Sequence, residues 1–186
     1  MKTVTIKPPW LLGFTRRFIS LNQPLMQDFG AWHFQPGMRF QEKAQWWRPG
    51  FSRSTPHEGV DFCCFKDKAG ELVYLRPGCK IPALFKGRVA ALFDDFLGRS
   101  LYIVHKDNGC QLSGTIYAHI QPVPEITVGR VVEAGEVVGV TAPQRRSGPL
   151  RSHLHLSMCR AAKNVPPPTD WQTIHHLPIE LINPFS

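Results

Sequence analysis

The amino-acid sequence predicts a mostly β fold, a compact sandwich or barrel with few or no long helices. Its 186 residues include 15 glycines and 17 prolines, and this composition favours many short elements joined by turns. From Gly59 onward, short apolar runs alternate with turn residues. A small repeat, Val128–Val132 followed by Ala134–Gly139, twice places a glycine turn before a short strand. This pattern is typical of sandwiches and barrels.

The individual strands are predicted from apolar runs that are bounded by turn signals. A hairpin is predicted around Asp94–Gly98, and a short helix that is broken at Pro178 is predicted within Trp171–Leu181. The predicted strands are, in chain order, residues 60–65, 71–76, 88–93, 101–105, 115–120 and 153–159.

The length suits a single domain with a small extension. Residues 1–50 are rich in aromatic residues and proline, so we predict loops and one or two short strands there, with Ala31–Phe34 as the best candidate. We expect this N-terminal extension to pack on a core domain of residues 51–186, because large apolar rings are mostly buried. The alternative is an exposed aromatic shelf that binds sugar or peptide.

Composition limits the class of partner and the type of site. The formal net charge of +8 favours polyanionic partners, but the basic residues are scattered without a nucleic-acid-binding motif, so we expect no nucleic-acid partner. The five cysteines are odd in number and lack CxxC spacing, which predicts reduced thiols rather than disulfides or a cysteine-based zinc site. Met1–Pro9 lacks the apolar centre of an export signal, and no stretch is long enough to span a membrane.

Two histidines, His153 and His155, stand in a run that otherwise reads as a strand. Side chains alternate between the two faces of a strand, so both imidazoles point the same way while Leu154 and Leu156 point into the core. Two imidazoles above a sheet can form a metal site in which one ring binds the ion and its neighbour acts on the bound water.

A carboxylate and a third histidine can complete such a site. His57 and Asp61 stand four residues apart, and the nearby Pro56 and Gly59 favour an extended segment on which both side chains share a face. With a second histidine they form a three-ligand set for Zn²⁺ that leaves a fourth position for water. This open arrangement is the one used by catalytic zinc.

Zinc-assisted hydrolysis also needs groups around the bound water. Zinc lowers the pKa of that water to about 7, and other groups must then orient it, move its proton and stabilise an oxyanion. His119 lies at the end of a predicted strand and can serve in this way, as can His153 beside His155.

Three ordered motifs resemble the lysostaphin-type family of zinc metallopeptidases, which cut the peptide bridges of peptidoglycan. The motifs of that family are HxGxD, TxYAH and HLH, and this chain carries them in the same order at residues 57–61, 115–119 and 153–155. The segment Val128–Gly139 and the closing Ile182-Asn183-Pro184 also resemble the family. The resemblance covers roughly residues 53–184.

The resemblance implies that His57, Asp61 and His155 bind Zn²⁺, and that His119 and His153 position the water and stabilise the tetrahedral intermediate. It implies an antiparallel β-sandwich with a substrate groove, related to the lipoyl-carrier hybrid motif. The implied activity is zinc-dependent hydrolysis of peptide bonds, with cross-bridge or stem peptides of peptidoglycan as substrate. The implied location is the cell envelope or the extracellular space, whereas the absence of an export signal from this sequence would favour the cytoplasm.

The chain departs from the family pattern just before the third motif. The family reads S/T-G-P directly before HLH, whereas here Leu150-Arg151-Ser152 separates Ser147-Gly148-Pro149 from His153. These three additional residues fall at the rim of the implied groove. We therefore expect them to affect the fit of the substrate rather than the metal ligands.

Three alternatives remain open at the level of the sequence. The first is a non-catalytic relative that binds peptidoglycan or an amidase, and the second is an endopeptidase whose substrate is a peptide outside the cell wall. The third is a lipoyl-type carrier, because Asp67-Lys68-Ala69 resembles the tip of such a domain. A carrier, however, has no use for five polar groups of this kind.

Overall fold

A computed structural model of the chain describes residues 8–105, 114–143, 149–162 and 165–186. The elements are, in chain order, α1 (Pro9–Leu21), β1 (Phe29–His33), β2 (Val60–Phe62), β3 (Cys64–Asp67), β4 (Leu72–Tyr74), β5 (Lys80–Pro82), β6 (Gly87–Asp94), β7 (Arg99–Val104), β8 (Gly114–Pro122), β9 (Val131–Val132), β10 (Val137–Thr141), β11 (Leu154–Ala161), α2 (Trp171–His176) and β12 (Ile179–Ile182).

The strands form two antiparallel sheets. A three-stranded sheet has the order β1-β3-β4, and a nine-stranded sheet has the main path β12-β11-β8-β7-β6-β9. Strand β2 joins the larger sheet beside β11, and β10 joins it between β5 and β8. Within the described residues the helices are α1, with 13 residues, and α2, with 6. The prediction of a mostly β, antiparallel fold is thereby confirmed.

Two buried strands, β8 and β11, form the centre of the larger sheet. Every residue of β8 from Gly114 to Ile120 is buried, as expected for a strand that is covered on both faces. Strand β11 lies between β2 and β8, and its His155 stands opposite Asp61 on one side and Ala118 on the other. This register brings the segments that carry the three motifs side by side.

The N-terminal segment differs from the prediction of loops and short strands, because residues Pro9–Leu21 form a helix. Proline is tolerated in the first turn, where its missing N–H has no helical acceptor. Leu11, Phe14 and Phe18 recur at helical spacing and are the buried residues of α1. Strand β1, in contrast, falls close to the predicted Ala31–Phe34.

Several aromatic side chains of this segment pack into the main hydrophobic core. The ring of Phe18 contacts Trp32 with centroids 5.4 Å apart, and Phe14 contacts Phe62 at 5.5 Å. The indole of Trp10 donates a hydrogen bond to the carbonyl of Pro184 near the other end of the chain. Packing of these rings against the sheet stabilises a helix that is short for an isolated peptide.

Two further expectations concern cysteines and membranes. Cys63, Cys64, Cys79 and Cys159 are buried free thiols, in agreement with the prediction of reduced cysteines, while Cys110 lies outside the described residues. No helix within the described ranges is long and apolar enough to cross a membrane.

The packing of α1 can be tested by truncating its buried face. Phe18→Ala is expected to lower the free energy of unfolding by about 3–5 kcal/mol, because Phe18 is fully buried. Leu12→Ala on the same helix should change it little, since Leu12 is 56% exposed. Urea denaturation followed by circular dichroism measures both. Equal losses in the two variants would contradict this orientation of the helix.

Candidate metal centre and active site

Three donor atoms from distant parts of the chain converge on one point. The Nε2 of His57 lies 3.1 Å from Oδ1 of Asp61 and 3.0 Å from Nδ1 of His155. The third side of this triangle, from His155 Nδ1 to Asp61 Oδ1, is 2.9 Å. All three residues are buried.

Outward hydrogen bonds determine which nitrogen of each neutral ring faces this point. His57 donates from Nδ1 to the carbonyl of Arg39 at 3.1 Å, which leaves a lone pair on the inward Nε2. The Nε2 of His155 lies 2.9 Å from the hydroxyl of Ser157. When that hydroxyl accepts the Nε2 proton, the inward Nδ1 of His155 carries a lone pair as well.

The charge states of these groups follow from burial and from one another. Burial lowers the pKa of His155 to about 4 against the opposing effect of Asp61, so the ring is neutral at neutral pH. Burial alone would raise the pKa of Asp61, but electrostatic attraction to His57 and His153 and the hydrogen bonds of His155 and His57 outweigh it. The pKa of Asp61 is therefore well below its ordinary value, and the group is a carboxylate.

This donor set fits a divalent cation. Two imidazole lone pairs and a carboxylate oxygen repel one another when no proton or cation lies between them. Donor atoms bound to one tetrahedral Zn²⁺ at about 2.0–2.1 Å stand about 3.3 Å apart, close to the spacing observed here. His₂Asp leaves a fourth position open, as catalytic zinc sites do.

His119 lies at an irregularity in strand β8. Ser100 of β7 stands opposite two residues of β8, Ala118 and His119, so the pair of strands contains a β-bulge. The backbone of His119 has a φ of 63°, a left-handed conformation that is strained for a residue other than glycine. The bulge lies where β8 leaves β11 and begins to pair with β10. It directs the imidazole of His119 toward the groove described below.

A buried carboxylate, Asp95, holds His119 in this conformation. Its Oδ2 accepts hydrogen bonds from the backbone N–H of His119 and the hydroxyl of Ser100, both at 2.9 Å. Its Oδ1 accepts from the amides of Leu97 and Gly98 and from the ring Nδ1 of His119 at 3.1 Å. Asp95 thus fixes the tautomer of His119 and leaves Nε2 as the nitrogen that is available to the groove.

His153 lies beside both His119 and the cluster of His57, Asp61 and His155. Its ring centroid is 4.8 Å from that of His119, and its Nε2 is 3.7 Å from Oδ1 of Asp61. Its Nδ1 donates a 2.8 Å hydrogen bond to the carbonyl of Arg151, so the neutral ring carries a lone pair on Nε2. Burial lowers the pKa of His153 to about 4, and the ring is neutral at neutral pH.

An open groove of about 730 Å³ is lined by all five predicted site residues. Aromatic side chains form much of its rim. Phe96, which is 68% exposed, stands with its ring 4.5 Å from that of His119, and Trp171 lies 5.4 Å from His155. Leu150, from the segment where the chain departs from the family pattern, also lines the groove. Ser147 and Gly148 of that segment lie outside the described residues.

The structure brings His57, Asp61, His119, His153 and His155 together, and it adds two residues that sequence reasoning missed. Asp95 reads in the sequence as an ordinary turn residue, because carboxylates commonly bond to turn amides. Trp46 reads as one of many core aromatics, yet its indole donates a hydrogen bond to Asp61 at 2.7 Å. Neither long-range contact leaves a local signal in the sequence.

The buried hydrogen bonds between Asp95 and His119 predict a pH-dependent contribution to stability. Burial raises the pKa of Asp95, but the hydrogen bonds and charge of His119 outweigh burial and lower it overall. A lowered carboxyl pKa stabilises the folded state above the unfolded pKa of about 3.9, and this contribution is lost as the pH falls toward the folded value.

Asp95→Asn should therefore lower the free energy of unfolding at pH 7 by on the order of 2 kcal/mol, and the difference from wild type should shrink below about pH 4. Urea denaturation across this range measures it. Asp94→Asn is the matched control, because the side chain of Asp94 is 85% exposed. A difference that does not change with pH would contradict an ionised Asp95.

Comparisons with known proteins place this site in a family. The family model described as Peptidase family M23 matches residues 55–167, more than half of the chain. No curated protein matches the chain.

Among solved structures, LytU is 25% identical with a TM-score of 0.49, over 70% of this chain and 74% of LytU. The catalytic domain of the antimicrobial peptidase lysostaphin from Staphylococcus simulans is 17% identical with a TM-score of 0.49, over 75% of this chain and 86% of that domain. A mutant catalytic domain of the prophage-encoded M23 protein EnpA from Enterococcus faecalis is 23% identical with a TM-score of 0.44, over 72% and 89%. The resemblance of the three motifs is thus confirmed by the family model, and the chain belongs to Peptidase family M23.

Proposed function

We propose that this chain is a zinc-dependent endopeptidase that hydrolyses peptide bonds in the cross-bridges or stem peptides of peptidoglycan. One observation carries the proposal: the ligand atoms of His57, Asp61 and His155 lie within 4.8 Å of one another, beside two further imidazoles in an open groove. The choice of peptidoglycan as substrate rests on the resemblance of the motifs to the lysostaphin type.

In this proposal His57, Asp61 and His155 hold the metal. Bound Zn²⁺ supplies a Lewis acid that lowers the pKa of a coordinated water to about 7. The single carboxylate offsets half of the charge of the ion, and the two neutral imidazoles supply nitrogen donors without adding further negative charge. The hydrogen bonds to Arg39 and Ser157 keep both rings turned inward.

His153 is suited to accept a proton. Its Nδ1–H donates a hydrogen bond to the carbonyl of Arg151. Its Nε2, which carries the lone pair, lies 3.7 Å from Oδ1 of Asp61. Since burial lowers its pKa to about 4, the ring is in the neutral form that a general base requires. A proton taken from the attacking water at Nε2 can later be passed to the leaving amine.

His119 is suited to act on the substrate carbonyl. Its ring is anchored through Nδ1 to Asp95, which leaves Nε2 toward the groove. When the ring is protonated, Nε2 also carries a proton, and a hydrogen bond donated from it stabilises the oxygen that becomes negatively charged as the tetrahedral intermediate forms. The carboxylate of Asp95 offsets the positive charge of the protonated ring.

The groove supports a peptide as substrate. It is open, it has the volume of about 730 Å³ given above, and its rim combines aromatic side chains with polar groups such as Gln45 and Gln172. Aromatic faces contact backbone and small side chains of an extended peptide, while polar groups bond to its amides.

Two histidine variants separate metal binding from stabilisation of the transition state. His155→Ala is expected to abolish zinc binding and activity, because it removes one of three ligands. His119→Ala is expected to keep zinc while activity falls by about 10²-fold or more, because it removes hydrogen bonding in the transition state. The exposed His176 in α2 provides the control variant His176→Ala, which should retain both properties. Zinc retained in His155→Ala, or full activity in His119→Ala, would contradict the assignment.

The substrate is tested with protein purified without added metal. Elemental analysis should give one zinc per chain, and the protein should cleave oligoglycine or cross-linked muropeptides. Bound zinc without cleavage of any peptide would instead support a non-catalytic relative. Cleavage of other peptides alone would support a substrate outside the cell wall.

A further inference from the structure

The two oxygen atoms of Asp61 have different surroundings. Oδ1 faces the imidazoles of His57 and His155 at 3.1 and 2.9 Å. Oδ2 points away from them and accepts a hydrogen bond from the indole Nε1 of Trp46 at 2.7 Å. The Nη2 of Arg53 lies 3.5 Å from the same oxygen. Because Asp61 is only 2% exposed, these protein groups rather than bulk water determine the orientation of its carboxylate.

The indole of Trp46 is itself held in place from several directions. Its ring meets the ring of His153 edge-on at 5.2 Å and that of Trp47 at 5.5 Å. It also packs against the buried cluster that includes Met38 and Cys63. Trp46 therefore contacts Asp61, a candidate metal ligand, through its N–H, and His153, the candidate general base, through its ring.

Main-chain hydrogen bonds join the segment before Trp46 to the segment that carries the ligands. The amide of Gln41 donates to the carbonyl of His57 at 2.8 Å, and the amide of His57 donates to Glu42 at 3.1 Å. The amide of Asp61 donates to the carbonyl of Met38 at 2.9 Å. Residues 38–42 and 57–61 are thus joined by main-chain hydrogen bonds, and an antiparallel bridge between Ala44 and Ser52 joins the chain on either side of Trp46.

We infer that Trp46, assisted by Arg53, is a positioning residue that restricts Asp61 to a single-oxygen contact with the metal. An indole N–H is only a donor, so it occupies Oδ2 without competing as a ligand. A carboxylate that could turn would offer both oxygens and fill the position that an open zinc site leaves for water. This inference rests on the proposed function, because it assigns a role toward the ion that His57, Asp61 and His155 would hold.

The positioning contacts come from outside the region that matches the family. Trp46 and Arg53 both precede residues 55–167. The Nη1 of Arg53 donates hydrogen bonds to the carbonyls of Gly37, at 2.7 Å, and Ala44 in the N-terminal segment. The N-terminal segment thereby gains a role in the metal site in addition to its packing in the core.

The variant Trp46→Phe tests the inference directly, because it keeps an aromatic ring beside His153 and removes the donor to Asp61. The Kd for Zn²⁺, measured by competition with a chromophoric chelator, is expected to rise about 10-fold to 100-fold, as is typical when a hydrogen bond to a metal ligand is lost. The visible absorption of the Co²⁺-loaded protein should weaken, since a second carboxylate oxygen raises the coordination number.

Trp10→Phe is the matched control. It makes the same chemical change in the same N-terminal segment. The indole of Trp10 lies away from the groove and donates a 2.9 Å hydrogen bond to the carbonyl of Pro184. Its Kd and Co²⁺ spectrum should equal those of the wild type. Circular dichroism of metal-free Trp46→Phe checks its folding. If that variant does not fold, Arg53→Gln removes the second contact to Oδ2 and decides by the same two readouts.

The possible failures can be told apart. If the wild type binds Zn²⁺ and Co²⁺ and the Trp46→Phe variant has the same Kd and spectrum, the inference is wrong and the proposed function stands. If the wild type binds neither ion, the proposed function is wrong and the inference fails with it. A weakened Kd in Trp10→Phe equal to that in Trp46→Phe would also overturn the inference, because it would indicate a general loss of stability.

Discussion

The buried negative charge of Asp61 is the constraint around which the rest of the site is arranged. An ionised carboxylate that is 2% exposed is costly unless every lone pair has a partner. Imidazoles from two segments face one oxygen, and an indole and a guanidinium face the other. In the described part of the chain no buried side-chain nitrogen or oxygen lacks a hydrogen-bond partner. The surroundings of Asp61 therefore combine residues from the N-terminal segment, β2 and β11 in one interdependent unit.

Sheet geometry explains why this unit can form from residues that are far apart in sequence. Strand β11 pairs with β2 on one edge and with β8 on the other, so a single position, His155, is next to both Asp61 and Ala118. The bulge in β8 then turns the following residue, His119, toward the groove. His153, which directly precedes β11, adds a further imidazole to the groove two residues before His155. Three buried strands, β2, β8 and β11, and one bulge are sufficient to gather four of the five groups.

The parts of the site that the sequence predicts are those that depend on local periodicity. His153 and His155 share a face because strands have a period of two, and His57 and Asp61 are recognisable from their spacing and the glycine between them. The sequence does not predict helix α1, because the aromatic residues and prolines of the N-terminal segment favour loops. The helix is instead stabilised by burial of Phe14 and Phe18, which depends on tertiary packing. The sequence also does not predict the contacts of Asp95 and Trp46, because each depends on how separate segments meet in three dimensions. The sequence predicts that the strands pair antiparallel, but it does not predict the bulge at His119.

The histidines of the site are oriented by two chemically different kinds of acceptor. His57 and His153 donate to main-chain carbonyls, of Arg39 and Arg151, whereas His119 depends on the side chain of Asp95. A carbonyl acceptor persists when its residue is replaced, so the rim around position 151 can diverge in sequence while the tautomer of His153 is retained. The hairpin that carries Asp95 has no such freedom. Substitutions around position 151 can therefore change what the groove admits, whereas substitution of Asp95 removes the acceptor that orients His119.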